Sequence, residues 1–264
     1  MYTIATKPKC PYCSFSRSWS VRRSKRKCKR CRREWSARFV INHIRATRQD
    51  WDRCVSAFLV RRSTTYVVEQ TSLGYCQVVK MLNHLRGVMT ADQPERFTGV
   101  CEADETFIGG QWRNKRRHIR KRGTKKGHGT SKTPIVGVYS RRTSQIIARV
   151  LELRNETTVI GFICSRLGPG AILYTDGYKM NRAVKKYGVR HYYVDHDAGE
   201  FVRGAIHTNS MEGFWGYLKR NLASIGGIRK TKLPYFVGEF IWRYNHRKLT
   251  RREQKDLLLK LLLE

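Results

Sequence analysis

Eight cysteines are present, and four of them form a pattern: Cys10-x-x-Cys13 and Cys28-x-x-Cys31, with fourteen residues between the pairs. A CxxC turn sets two thiolates where both can ligate one tetrahedral ion. Two such knuckles close a four-cysteine structural site, so the spacing predicts Zn2+. The competing reading is a pair of reactive or disulfide-bonded CxxC motifs. Twelve Lys and Arg fall between Lys7 and Arg33, and no acidic residue precedes Glu34. That cationic surround lowers thiolate pKa values and also suits a phosphate backbone. A segment of about thirty residues buries little core alone, so the ion is expected to supply folding free energy. The remaining cysteines, Cys54, Cys76, Cys101 and Cys164, read as ordinary small buried residues.

Carboxylates are the second chemistry-bearing set, because only 20 Asp+Glu stand against 54 Lys+Arg. None occurs from Thr106 through Leu151. Asp104-Glu105 lies near the end of one strand candidate, and Asp176 ends another at Tyr174-Thr175-Asp176-Gly177. Glu212 stands in a helix candidate that opens at Asn209. Carboxylates at strand ends can converge at one sheet edge, and a packed helix can bring a third. Such a trio suits two Mg2+ ions (or Mn2+), which want oxygen ligands and can activate an attacking oxygen while stabilising the leaving one on phosphate. A chain of net charge +34 repels cations except where several carboxylates gather. Taken singly, each has a plain alternative. Asp104 can be a solvated strand end, Asp176 a turn residue or cap for a helix at Tyr178, and Glu212 a helix-surface residue. Asp195, Asp197 and Glu200 are spare candidates. Successive strand residues point to opposite faces, so only one of Asp104 and Glu105 can face a metal.

The elements that must position these groups follow from periodicity. Residues 1–40 read as a zinc ribbon, with Trp19 and Trp35 expected to pack on its small sheets rather than stack on a base. Residues 41–92 turn helical: Trp51, Val55, Phe58 and Leu59 recur at i, i+4, i+7 and i+8. Helix 64–70, a break at 71–74 and a second helix 75–86 give a helix-turn-helix outline. Gln93-Pro94 marks a boundary. Strands are expected at 97–108, 134–139, 145–152, 171–175 and 191–194, and helices at 157–167, 178–187, 209–222 and 233–244. Three strands followed by alternating helices and strands make an α/β domain with a mixed sheet over 97–250, followed by a C-terminal helical tail at 251–264. The insert 111–132 carries ten Lys and Arg without a carboxylate and reads as a loop, either plainly solvated or gripping DNA.

Composition narrows the function. A charge of +34 argues against an acidic small-molecule enzyme and a secreted carbohydrate binder, and for a polyanionic partner, nucleic acid before a membrane surface. At 40% hydrophobic residues the chain is too apolar for a disordered basic tail. The apolar run 257–263 is broken by Lys260 and too short for a bilayer, and the N-terminus lacks a signal-peptide pattern, so an intracellular protein is expected.

Thirty-five residues separate Asp176 from Glu212, and Lys219 follows Glu212 by seven, two helical turns on one face. That spacing resembles the DDE transposase and retroviral-integrase superfamily. More closely, the ribbon together with Asp104-Glu105-Thr106-Phe107-Ile108-Gly109-Gly110, Thr175-Asp176-Gly177 and the stretch from His207 through Arg220 resembles the Merlin-like insertion-sequence transposases. The resemblance covers nearly the whole chain, from Cys10 to about Arg247. It implies an RNase H-like catalytic domain with Asp104, rather than Glu105, and Asp176 and Glu212 as ligands of Mg2+ or Mn2+. It implies a phosphate contact for Lys219, whose plainer reading is a solvated helix lysine. Asn209, one turn before Glu212, is expected to cap its helix or position DNA, and His207 to serve as a hydrogen-bonding residue. The implied activity is DNA transposition: recognition of terminal inverted repeats in double-stranded DNA, hydrolysis at the ends, and joining of the 3′-OH to target DNA, by a homodimer or higher oligomer on DNA. Rival readings are a non-catalytic regulator derived from a transposase, an RNA-binding zinc-ribbon protein and a junction or RNase H-type nuclease.

Overall fold

The computed structural model describes residues 9–10, 12–21, 25–36, 39–41, 44–110, 117–118, 132–176, 184, 186–194, 199 and 202–262. The basic insert therefore lies outside the described residues except at 117–118 and 132, as do most of the expected helix 178–187 and the spare carboxylates Asp195, Asp197 and Glu200. Two compact units are formed, one from Met1–Val88 with Lys248–Glu264, the other from Met89–Arg247. Among the described residues, no helix is long and apolar enough to cross a membrane.

The first unit opens with a ribbon of three antiparallel strands, β1 (Ser18–Ser20), β2 (Lys25–Cys28) and β3 (Glu34–Ser36), in that order. A two-stranded ribbon follows, β4 (Phe39–Ile41) with β5 (Ile44–Ala46), within the stretch expected to be helical from residue 41. Helices α1 (Arg48–Leu59), α2 (Thr64–Gln70) and α3 (Tyr75–Ala91) come next, and α2 and α3 realise the expected helix-break-helix outline. The apolar stripe of α1 lies buried, at Trp51, Cys54, Val55, Phe58 and Leu59, as its i, i+4, i+7 pattern requires. Cys76 is exposed, contrary to expectation, because it sits beside exposed Tyr75 on the outward face of the first turn of α3. A C-terminal helix, which follows the second unit in sequence, belongs here: residues Arg251–Leu261 ion-pair with α1 through Lys255 and Asp52 at 2.7 Å. Arg251 also donates to the Leu59 carbonyl.

The second unit is built on a five-stranded mixed sheet. Its strands are β6 (Val100–Ile108), β7 (Thr133–Ser140), β8 (Gln145–Val150), β9 (Ile172–Thr175) and β10 (Arg190–Tyr193), in the order β10-β9-β6-β7-β8. β6, β7 and β8 form an antiparallel meander, and β9 and β10 add in parallel on the other side of β6. A meander first, then two parallel strands added beside its opening strand, is the RNase H-like arrangement. The sheet is covered on both sides, so β7 reads as a nearly continuous apolar run rather than a clean alternation. On one face α4 (Glu156–Ser165) buries Val159, Ile160, Phe162 and Ile163 against Ala103, Val136 and Val138. On the other, α5 (Asn209–Ile225) and α6 (Leu233–Asn245) pack Phe214, Trp215, Leu218, Phe240 and Ile241 against Ile135, Tyr139 and Ile146. The C-terminal helix of the first unit, Arg251–Leu261, is α7.

Candidate active site and zinc centre

Cys10, Cys13, Cys28 and Cys31 lie with their sulfurs all within 4.8 Å of one another. The two knuckles repeat one local geometry. Each has a backbone N–H four residues on reaching back to the first cysteine's carbonyl, Ser14 to Cys10 at 2.8 Å and Arg32 to Cys28 at 3.2 Å. Ser14 and Arg32 take the left-handed conformation that closes each turn, at φ 57° and 63°. Burial raises the Cys28 thiol, but the N–H groups of Cys31 and Arg30 favour its thiolate and leave it at about 7. Cys31 goes the other way, up to about 11: the Arg33 N–H favours its thiolate, but burial and the neighbouring sulfurs outweigh it. Among the described residues, this quartet is the one group of three or more His, Cys, Asp or Glu whose ligand atoms converge so closely. Trp19 is half-buried with the Arg32 guanidinium over its ring, 5.7 Å from the centroid.

The carboxylates are gathered by sheet register. The last paired positions of parallel β6 and β9 are Glu102 and Tyr174. Two residues beyond stand Asp104, which strand alternation puts on the face that α5 covers, and Asp176, just past the end of β9 and close enough for its charge to act on Asp104. Glu105 points the opposite way and forms a bidentate pair with Arg154 at 2.6 and 3.0 Å. Asp104 accepts the Glu105 N–H and, at 3.0 Å, the indole N–H of Trp215 on α5. Its carboxyl is pushed up to about 7, first by burial and then by the negative charges of Asp176 and, more weakly, Glu212. All three carboxylates thus share one electrostatic environment. Glu212 lies in the first turn of α5, exposed, three residues before Trp215. Lys219 is exposed on the same helix two turns on.

Gly137 makes the approach of α5 possible. It faces Asp104 in the β6–β7 register, and a Cβ there would meet Met211 at 2.9 Å and the Trp215 indole at 3.0 Å. Only a bare backbone leaves the indole room to reach the carboxylate.

Three residues that sequence reasoning passed over complete the site. Trp215 is one, Glu102 and Arg141 the others. Glu102 is fully buried, accepts from the N–H groups of Ser210 and Met211 at 2.9 and 3.1 Å, and from Ser210 Oγ at 3.0 Å. A carboxylate at a helix N-terminus satisfies unpaired amides and suits the helix dipole. The expectation that Asn209 caps this helix is corrected accordingly: Thr208 is the cap position, without a side-chain cap bond, Asn209 is the exposed first helical residue, and the carboxylate from β6 meets the amides. His207 is hydrogen-bonded, its carbonyl and ring nitrogens meeting Arg141. A signal for Glu102 existed in its spacing: two residues before Asp104 in a strand is the same face.

Comparison with known proteins sets this geometry in context. The ISXO2-like transposase domain matches residues 96–245. A protein in the transposable element ISH50 of Halobacterium salinarum is 24% identical over 245 residues, 89% of this chain and 82% of that protein. A transposase-like protein of Haemophilus influenzae is 26% identical over 89 residues, 34% of this chain and 72% of that protein. Among solved structures, the simian T-cell lymphotropic virus intasome in complex with PP2A regulatory subunit B56 gamma aligns at 10% identity, covering 77% of this chain and 74% of that one, with a TM-score of 0.37. The HTLV-2 integrase catalytic core domain in complex with magnesium aligns at 9% identity over 57% and 87% of the two chains, with a TM-score of 0.33.

Proposed function

The chain belongs to the ISXO2-like transposase domain family, and from that premise we propose that it is a metal-dependent DDE DNA transposase of the Merlin-like kind. The observation that carries the reading is the shared placement of Asp104, Asp176 and Glu212, one on β6, one just past the end of the parallel strand β9 and one on the helix packed over the sheet, with Asp104 raised by burial and by the charge of both others. Asp104, Asp176 and Glu212 would hold Mg2+ or Mn2+. Bound there, the metal supplies activation of an attacking oxygen and stabilisation of the leaving oxygen on phosphate. The protein's own part is to bring the three carboxylates together, to fix Asp104 through the Trp215 indole, and to offer Lys219 to a backbone phosphate near the scissile bond. Asn209, exposed at the start of α5, would position DNA rather than cap the helix.

In this reading the zinc ribbon and the helices α1–α3 recognise terminal inverted repeats in double-stranded DNA. Water opens the phosphodiester at each end, and the freed 3′-OH is directed at target DNA by in-line transesterification, without a protein–DNA covalent intermediate. Two ends must meet in one complex, so a homodimer or higher oligomer on DNA is proposed, working inside the cell.

The test is a strand-transfer assay with the element's terminal repeat as labelled duplex, supercoiled plasmid, and Mg2+ or EDTA. Metal-dependent joining of the labelled 3′ end, abolished in Asp104→Asn, Asp176→Asn and Glu212→Gln while end binding persists, is the expected result. A variant that keeps full cleavage removes its residue from the site. Specific end binding without cleavage or joining in Mg2+ or Mn2+ replaces the reading with a non-catalytic DNA-binding regulator.

A further inference from the structure

Arg141 opens the turn between β7 and β8, and its guanidinium contacts β6, β9 and the segment leading into α5. Its Nε donates to Glu102 Oε1 at 2.6 Å, on β6 two residues before Asp104. Its Nη1 donates to the Ala205 carbonyl at 2.7 Å and its Nη2 to the His207 carbonyl at 2.9 Å, on the segment that leads into α5 and Glu212. Its guanidinium carbon lies 4.9 Å from the ring centroid of Tyr174, on β9 two residues before Asp176. Glu102 extends the connection by taking the first free amides of α5.

The chemistry of this hub is specific to arginine. The planar fork offers five donors in fixed directions and a face that stacks on an aromatic ring. It also neutralises Glu102, which is fully buried a strand step away from Asp104 and would otherwise add to the negative charge around the trio. Lysine offers one charge point and cannot meet a carboxylate, two carbonyls and a ring together.

We propose that Arg141 is a positioning residue: through Glu102, Tyr174 and the Ala205 and His207 carbonyls it holds Asp104, Asp176 and Glu212 in the relative placement that binds a divalent cation. The inference rests on the reading of those three carboxylates as metal ligands. Arg141 sets where the ligands stand and leaves the phosphate to Lys219 and the metal.

The experiment uses the full chain, with Mn2+ as the probe followed by electron paramagnetic resonance, and amide hydrogen exchange as a readout independent of catalysis. Arg141→Lys keeps the charge and loses the fork; Arg141→Ala removes both. Mn2+ affinity is expected to weaken about 10–100-fold in each, the range for residues that orient metal ligands. Exchange of the Ser210 and Met211 amides is expected to accelerate in both. Glu102→Gln should weaken Mn2+ similarly, and the Arg141→Lys/Glu102→Gln double variant should be no weaker than the worse single, because both break one clamp.

Rescue by lysine, or additive losses in the double variant, overturns the proposal. Should Arg141→Ala lose its fold, Arg141→Lys decides the matter alone. Asp176→Asn separates the two levels of the argument. Equal Mn2+ binding by the unaltered chain and Asp176→Asn sinks the metal reading itself. Loss in Asp176→Asn with none in either Arg141 variant sinks the clamp and leaves that reading standing.

Discussion

The cysteine quartet draws its ligands from a span of 21 positions, whereas the carboxylate trio runs from Asp104 to Glu212, more than a hundred positions. The quartet is shaped by two turns, each closed by its own backbone hydrogen bond. The trio is shaped by strand register, a glycine and a helix docked across the sheet. One site is made by local backbone turns and the other by a packed core, so the first is expected to need an ion to fold and the second to stand without one. Removing the metal should therefore do opposite things to the two regions.

The largest expected effect follows directly. Chelation of zinc, or Cys28→Ser, is expected to unfold the ribbon, since structural zinc contributes roughly 10–16 kcal/mol of apparent binding free energy at neutral pH in small zinc domains. The sheet of β6 to β10 should stay folded, because its two apolar layers close without an ion. Zinc content, circular dichroism and limited proteolysis, compared before and after chelation, read this out. A ribbon that stays protected without zinc, or a sheet that melts with it, breaks the contrast.

The second effect tests the claim that the trio is preformed. A carboxyl pushed up to about 7 keeps its proton in the folded chain to a higher pH than in the unfolded one, where the ordinary value is 3.8. Folded protein then binds more protons than unfolded across that window, so stability falls as pH rises from about 4 to about 7 and is level above it. The integrated loss from Asp104 is at most about 4 kcal/mol. Urea unfolding of the second unit in Mg2+-free buffer at pH 5 and pH 8 should show this slope, and Asp104→Asn should reduce it. An unchanged slope in Asp104→Asn means that neither burial nor the neighbouring carboxylates raise Asp104 in the free protein.

The same contrast explains what could be read from the sequence. The quartet is legible because two CxxC pairs state their own geometry, and the strands are legible because sheet layers impose apolar runs such as Ile135 to Tyr139. Asp104 and Asp176 can be nominated from their positions at strand ends, and the choice of Asp104 over Glu105 comes from the resemblance; in the structure Glu105 points away from Asp104 and pairs with Arg154. Glu102 was hidden because its function lies in partners 39 and 108 positions away, Arg141 and Ser210. Asn209 looked like a cap because Asn favours that position locally, and a remote carboxylate had already taken the amides. Cys76 was misjudged because cysteine is usually buried, while its place on the first turn of α3 faces outward.

A third, smaller effect sharpens how α5 reaches the trio. Trp215→Phe keeps the aromatic packing and removes the one indole N–H that Asp104 accepts at 3.0 Å. That donor favours the charged carboxylate, so its loss raises Asp104 further and costs about tenfold in Mn2+ affinity or end cleavage. Gly137→Ala should do at least as much by pushing the indole and Met211 away. If Trp215→Phe cleaves as well as the unaltered chain, the indole is packing and no more.

The smallest effect compares two helix starts. Helix α1 carries its own capping box, Thr47 receiving the Asp50 N–H while the Asp50 carboxylate accepts the Thr47 N–H at 2.9 Å. That carboxylate also meets Ser72 N–H and Oγ, and these hydrogen bonds, set against burial, hold Asp50 below its ordinary value. Helix α5 has no such box and is started by Glu102 from another element. Thr47→Ala should cost about 1 kcal/mol, as lost caps do, and stay local. Hydrogen exchange should quicken at the first turn of α1 and remain unchanged at Ser210 and Met211, which lie in the other unit. Glu102→Ala should act in reverse, freeing the first turn of α5 and leaving α1 as it was. A Thr47→Ala variant that loosens Ser210 and Met211 would mean that the two units unfold as one, and the division between a locally built region and a topologically built one would not hold.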